Sequence, residues 1–170
     1  MLECSNNNLT HIDNLETCIN LRELYASDNK IISMKTPPKI IRIVCSNNEL
    51  TNFEVRSKEL KYLNCNKNQI NDLYLASEKL EELCCRFNKL KYIDVSRFSN
   101  LTQFDCDNNP LDELPNITNL TKLMCFFHPP SVFHISLSQE DMEKMRCDYM
   151  ANNNYIYEVK KYQITIFNKN

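Results

Sequence analysis

The chain has 170 residues, 20 basic against 22 acidic side chains for a net charge of −2, nine Cys, and neither Gly nor Trp. Without Gly there is no dinucleotide-binding GxGxxG turn, no phosphate-cradling P-loop, no GxSxG nucleophile elbow and no Gly-rich kinase loop. Balanced charge excludes the basic footprint of nucleic-acid binding, and no apolar stretch reaches the ~18 residues of a membrane span.

From the N-terminus, MLECSNNNLTHID lacks the basic and apolar regions of a signal peptide. A reducing, cytoplasmic compartment is therefore expected, and an odd number of Cys cannot complete a disulfide framework. The Asn-x-Thr triplets at Asn8, Asn100, Asn116 and Asn119 are then not glycan acceptors. Turns that need positive φ must fall to Asn and Asp, the most tolerant residues after Gly, and the chain has 24 Asn.

One pattern then recurs. It begins as Leu2-x-Cys4-x-x-Asn7-x-Leu9 and continues as Leu21-x-x-Leu24-x-Ala26-x-x-Asn29-x-Ile31 and Ile40-x-x-Ile43-x-Cys45-x-x-Asn48-x-Leu50. Leu60-x-x-Leu63-x-Cys65-x-x-Asn68-x-Ile70, Leu80-x-x-Leu83-x-Cys85-x-x-Asn88-x-Leu90 and Leu101-x-x-Phe104-x-Cys106-x-x-Asn109-x-Leu111 follow. A seventh copy, Leu120-x-x-Leu123-x-Cys125, has His128 at the Asn position. The Asn anchors are 22, 19, 20, 20 and 21 residues apart, so each coil supplies one short strand. Between strands, Leu9, Ile12, Leu15, Cys18 and Leu21 recur every third residue, which suits 3₁₀ or extended turns. The pairs Phe53/Val55, Leu73/Leu75 and Ile93/Val95 alternate instead, which predicts a short extended piece.

The repeat breaks at Phe126-Phe127-His128-Pro129-Pro130. Ser138-x-x-Asp141 has the form of a capping box and predicts a helix over 139–150, with Met142, Met145 and Tyr149 inward. Tyr155–Val159 and Tyr162–Phe167 alternate like strands of a hairpin bent at Lys160-Lys161. Residues 1–130 are thus expected to form a repeat array and 131–170 to cover its last coil.

The signature L-x-x-L-x-L-x-x-N-x-L resembles the leucine-rich repeat. Cys at the second inward strand position, and the string Leu63-Asn64-Cys65-Asn66-Lys67-Asn68, are similar to the cysteine-ladder repeats of internalin-type bacterial surface proteins. The bias to Asn, Lys, Ile and Tyr resembles repeat proteins of large DNA viruses or protists. The resemblance implies an α/β repeat. This is a right-handed solenoid of about seven coils, with parallel strands on a concave face, a 3₁₀ or extended convex side, and a C-terminal helix-plus-hairpin cap.

Within that frame Asn7, Asn29, Asn48, Asn68, Asn88 and Asn109 are expected to turn inward and satisfy backbone groups left over where each strand ends. Cys4, Cys45, Cys65, Cys85, Cys106 and Cys125 read as small buried hydrophobes. Their Cβ vectors run parallel, whereas a disulfide or a tetrahedral zinc site needs convergence. Cys84 should point outward, as a merely exposed thiol or, failing that, as the thiol of this chain best placed to react. His128 and His134, near Cys125 and Cys147, match no zinc spacing, and the remaining His, His11, falls on a convex turn. No catalytic, metal or cofactor site is expected. Glu81-Glu82 reads as a solvated face.

The repeat register also names the outward columns. One is Glu3, Tyr25, Val44, Asn64, Cys84, Asp105, Met124; the next is Glu23, Arg42, Tyr62, Glu82, Gln103, Lys122; the third is Ser5, Ser27, Ser46, Asn66, Arg86, Asp107, Phe126. Tyr and Arg dominate binding energies at interfaces, so Tyr25, Arg42, Val44, Tyr62, Arg86, Phe87 and Met124 are the candidate contacts on the concave face. The expected function is a non-enzymatic module that binds a protein partner there, with no nucleic-acid or membrane partner. Two alternatives are kept: a self-associating protein, dimeric through an uncapped first coil, and the recognition part of a ubiquitin-ligase-type assembly. The latter would need an F-box-like helical segment before coil one or a large helical domain after the repeat.

Overall fold

The computed structural model describes residues 1–112 and the backbone of the strand segments 124–126, 132–136, 155–160 and 163–168. The helix expected over 139–150, the break at Pro129-Pro130 and His128 lie outside these residues. In chain order the strands are β1 (Leu2–Glu3), β2 (Glu23–Tyr25), β3 (Arg42–Val44), β4 (Asn52–Val55), β5 (Tyr62–Asn64), β6 (Asp72–Leu75), β7 (Glu82–Cys84), β8 (Gln103–Asp105), β9 (Met124–Phe126), β10 (Val132–Ser136), β11 (Tyr155–Lys160) and β12 (Gln163–Asn168).

The repeat dictates the architecture, a parallel-strand β-solenoid. Each coil donates one strand, and among the described residues β1, β2, β3, β5, β7, β8 and β9 pair in that order as one parallel sheet. The register keeps equivalent residues side by side, with Leu24, Ile43, Leu63, Leu83 and Phe104 in one row. That row is fully buried, as are the rows of Ile31, Leu50, Ile70 and of Ile40, Leu60, Leu80 and Leu101. Each such side chain is worth roughly 1.5–3 kcal/mol of burial. Ordering the backbone costs roughly 1–2 kcal/mol per residue, so one coil alone cannot fold and neighbours must share their faces.

The return side of the coils varies as the spacing foretells. Coil one makes a 3₁₀ turn at Leu15–Thr17, while β4 and β6 form a separate parallel pair. Ile93 and Val95 are buried but form no strand, which corrects the expectation of a third extended piece. From Val95 to Leu101 this coil holds one residue more than from Val55 to Leu60, and no strand of it joins the β4–β6 pair. Cys18 is exposed rather than packed, which corrects the every-third-residue reading of the first return segment.

Positive φ recurs just before the ladder Asn, at Asn6, Asp28, Asn47, Lys67, Phe87 and Asn108, and occurs once more at Asn14, ahead of the 3₁₀ turn. The reason is visible at Lys67. Its N–H donates to the Arg86 carbonyl at 2.8 Å, and its own carbonyl accepts from Asn48 N at 3.2 Å. The left-handed turn aims both groups along the stack. Asn and Asp fill four of the six positions before a ladder Asn, as a chain without Gly requires.

Beyond the solenoid strands, β11 and β12 pair antiparallel, with Ile156 opposite Phe167 and Val159 opposite Ile164. β10 joins the other edge of β12, a strand that the alternation rules did not single out.

Candidate interaction face and the ladders behind it

Behind the sheet, each ladder Asn ties its own coil to the preceding one. The Asn68 amide donates to the Cys45 carbonyl at 3.0 Å, the Cys65 carbonyl at 3.1 Å and the Asn66 carbonyl at 3.2 Å, and its Oδ1 accepts Leu50 N–H at 3.0 Å. Asn48, Asn88 and Asn109 repeat the arrangement and are buried; Asn29 repeats it half-buried. Asn7 differs: it is exposed and donates within its own coil, to the Cys4 and Ser5 carbonyls. A second ladder, at a position outside the leucine signature, runs on the return side. Ser57 Oγ donates to the Ile40 carbonyl at 2.8 Å and Ser77 Oγ to the Leu60 carbonyl at 2.7 Å.

The ladder sulfurs line the core. Cys45, Cys65, Cys85 and Cys106 are buried and Cys4 is half-buried, and the seven described cysteines are free thiols. Burial pushes the Cys45, Cys65 and Cys85 thiols well up, so they stay protonated. In the register of β9, Cys125 stands opposite Phe104 rather than in line with Cys106, which corrects its expected place in the ladder; its side chain and that of Cys147 lie outside the described residues. Cys84 is a correction. It faces outward but is only half-exposed, and burial, with Asp105 and Glu82 behind it, pushes its thiol up to about 11. A thiol held there carries little thiolate at neutral pH and is not a ready nucleophile. Among the described residues no group of His, Cys, Asp or Glu is arranged to hold a metal ion, and no helix is long and apolar enough to cross a membrane.

On the outer face the sheet register sets the neighbours. Glu23, Arg42, Tyr62, Glu82 and Gln103 form one row across β2, β3, β5, β7 and β8. Within it the Arg42 guanidinium lies 3.9 Å above the Tyr62 ring, an attraction worth roughly 0.5–2 kcal/mol. Tyr25 and Val44 stand half-exposed in the adjacent row, where the Tyr25 hydroxyl donates to Glu23 Oε2 at 3.2 Å. In β9 the register sets Met124 opposite Gln103, in the row of Arg42 and Tyr62, and Phe126 opposite Asp105, which corrects the column expected for Met124 by two residues; the side chain of Met124 lies outside the described residues.

Toward coils five and six a charged cluster replaces the aromatic one. Arg86 reaches Asp105 at 3.5 Å and Asp107 at 3.3 Å. Asp107 is 4% exposed, which corrects its reading as an open outward residue. Burial raises Asp105 to about 6, against the lowering pull of Arg86. Phe87 lies past the end of β7 on the turn, at φ 52° and 45% exposed, and its ring has Arg86 at 5.5 Å. The structure thus brings Arg42, Tyr62, Tyr25 and Val44 together on the strands and sets Arg86 with Phe87 apart at the sheet's rim. Sequence reasoning missed Phe87's left-handed backbone. The signal was its place before Asn88, where four of the other five coils carry Asn or Asp.

The functional domain of InlJ from Listeria monocytogenes, which includes a cysteine ladder, is similar to this chain. It superposes with a TM-score of 0.67 at 38% identity over 73% of this chain and 29% of that one. The chain therefore spans less than a third of that protein's length. No family model matches the chain, and no curated protein does.

Proposed function

Taking the chain as a leucine-rich-repeat solenoid with a cysteine ladder, we propose that it is a non-enzymatic protein-interaction module that binds a protein partner on its concave face, the outer face of the long sheet. The observation that carries this reading is the Arg42–Tyr62 stack. It holds two of the residue types that dominate interface energies in a fixed, half-exposed geometry. Tyr25 and Val44 extend the same surface, Arg86 and Phe87 bound it, and Met124 lies on its continuing row. The likeness to InlJ, whose functional domain carries the same ladder, supports a binding role over a catalytic one. In this reading residues 131–170 cover the last coil, and the reduced thiols suit a cytoplasmic setting.

Affinity capture from lysate, comparing wild type with a folded Tyr25→Ala, Tyr62→Ala, Phe87→Ala variant, tests the proposal. A protein retained by wild type alone supports it, and identical capture lists overturn it. Self-association is a second reading, favoured by apolar side chains exposed on coil one, with Met1 at 80% and Leu9 at 37%. Light scattering at high concentration decides it, and a monomeric mass rejects it.

A further inference from the structure

The return side of the solenoid carries a second surface, opposite the long sheet. There β4 and β6 run in step, with Asn52 opposite Asp72 and Glu54 opposite Tyr74. The next coil does not continue this pair, so β6 has β4 as its one strand neighbour among the described residues. Between β6 and the return segment of coil five a groove of about 300 Å³ opens, with Leu73 and Ile93 among its lining. Tyr74 and Tyr92 stand on it 49% and 61% exposed, and Asp72 and Asp94 are exposed beside them. Tyr92 takes the place of Asp72 one period on, and Asp94 that of Tyr74, so ring and carboxylate alternate across the groove.

The groove's own cation is already engaged. Arg97 donates to the Leu75 carbonyl, and its guanidinium lies 5.8 Å from the Tyr74 ring and 5.3 Å from the Phe98 ring. Two carboxylates against this one guanidinium leave the lining net negative. Both rings stand exposed beside these acids. An exposed aromatic face attracts a cation, and an adjacent carboxylate adds a charge-assisted hydrogen bond.

We propose that this groove takes the cationic side chain of a basic protein segment, an Arg or Lys laid against Tyr74 and Tyr92 with its charged head toward Asp72 and Asp94. The site is separate from the outer face of the long sheet, and a partner could engage either without the other.

The test is a titration of the ¹⁵N-labelled full chain with a capped five-residue peptide carrying a central arginine among alanines, followed by amide shifts. A matched peptide with glutamine at the centre is the control. The expected result is shifts confined to Asp72–Leu75 and 92–98 with the arginine peptide. Binding should weaken about tenfold in Tyr74→Ala/Tyr92→Ala and persist in Tyr74→Phe/Tyr92→Phe, as a ring-face interaction requires. Both pairs of substitutions are at exposed positions, and an unchanged melting temperature confirms that each variant is folded. Equal shifts with the glutamine peptide would overturn the proposal, as would shifts falling only on β3 and β5, or no shift at the highest soluble peptide concentration. Shifts confined to β3 and β5 would put the peptide on the concave face; the other outcomes leave that face to its own test, the capture experiment.

Discussion

The amide of Asn68 donates to the carbonyl of Cys45, 23 residues earlier and one coil back, at 3.0 Å. This bond belongs to no strand ladder, yet it couples two coils through a buried side chain. Removing the amide strands the Leu50 N–H and leaves carbonyls short of a donor. Each buried group left unsatisfied costs about 1–3 kcal/mol. Asn68→Ala should therefore destabilise by about 2–4 kcal/mol, whereas Asn71→Ala, at an exposed position, should stay within about 0.5 kcal/mol. Urea denaturation measures both, and equal midpoints would refute the ladder's role. Asn66 is an unsuitable control, because its Oδ1 accepts the Arg86 N–H at 2.7 Å.

The Asn ladder, the sulfur row and the order of the long sheet were legible because each rests on periodicity. A residue such as Leu63 recurs at the same inward place in each of the first six coils, so spacing alone fixes its neighbours there. What was hidden depends on departures from the period. The groove beside Tyr74 opens where coil five adds no strand to the β4–β6 pair. The burial of Asp107 follows from its crowding under Arg86, a contact one coil away. Neither has a local signature, since a single coil read alone places Asp107 with Ser27 and Ser46, which are half-exposed.

Phe87 occupies a left-handed backbone position with a bulky side chain. That conformation costs roughly 1–2 kcal/mol for residues other than Gly, Asn and Asp. Strain retained on an exposed ring is a reason to look for function. Phe87→Asn should raise stability by about 1 kcal/mol, because Asn serves the same turn in coils one, three and six. The same variant should lose partner capture if the ring is an interface anchor. A lower melting temperature for Phe87→Asn contradicts the strain argument.

Thiol chemistry separates the outward cysteines. Cys18 is exposed, whereas burial holds the Cys84 thiol up at about 11. In the native protein at pH 7.5, iodoacetamide should alkylate Cys18 well before Cys84, as read by mass mapping of peptides over time. Faster labelling of Cys84 would restore it as a reactive thiol. In urea the two rates should converge, since the difference lies in the fold.

The charged end of the outer face makes stability depend on pH in an unusual sense. Asp105 sits among Arg86, Asp107, Glu82 and Cys84, and burial lifts its carboxyl from the ordinary 3.8 to about 6. The folded state then binds the proton more tightly than the unfolded state. Its contribution to stability is present in full below about pH 4 and is lost as the pH rises toward 6. Exposed carboxylates such as Glu59 and Asp94, held low by Lys79 and Ser96 respectively, act in the opposite sense, so total stability does not isolate the effect. The difference between Asp105→Asn and wild type does. Asn keeps an oxygen for the Asp107 N–H but cannot ionise. The melting temperature of the variant relative to wild type should climb from pH 4 to pH 6 and then level off. A constant difference across that range would mean that Arg86 compensates the buried charge fully, and that Asp105 titrates as an ordinary carboxylate.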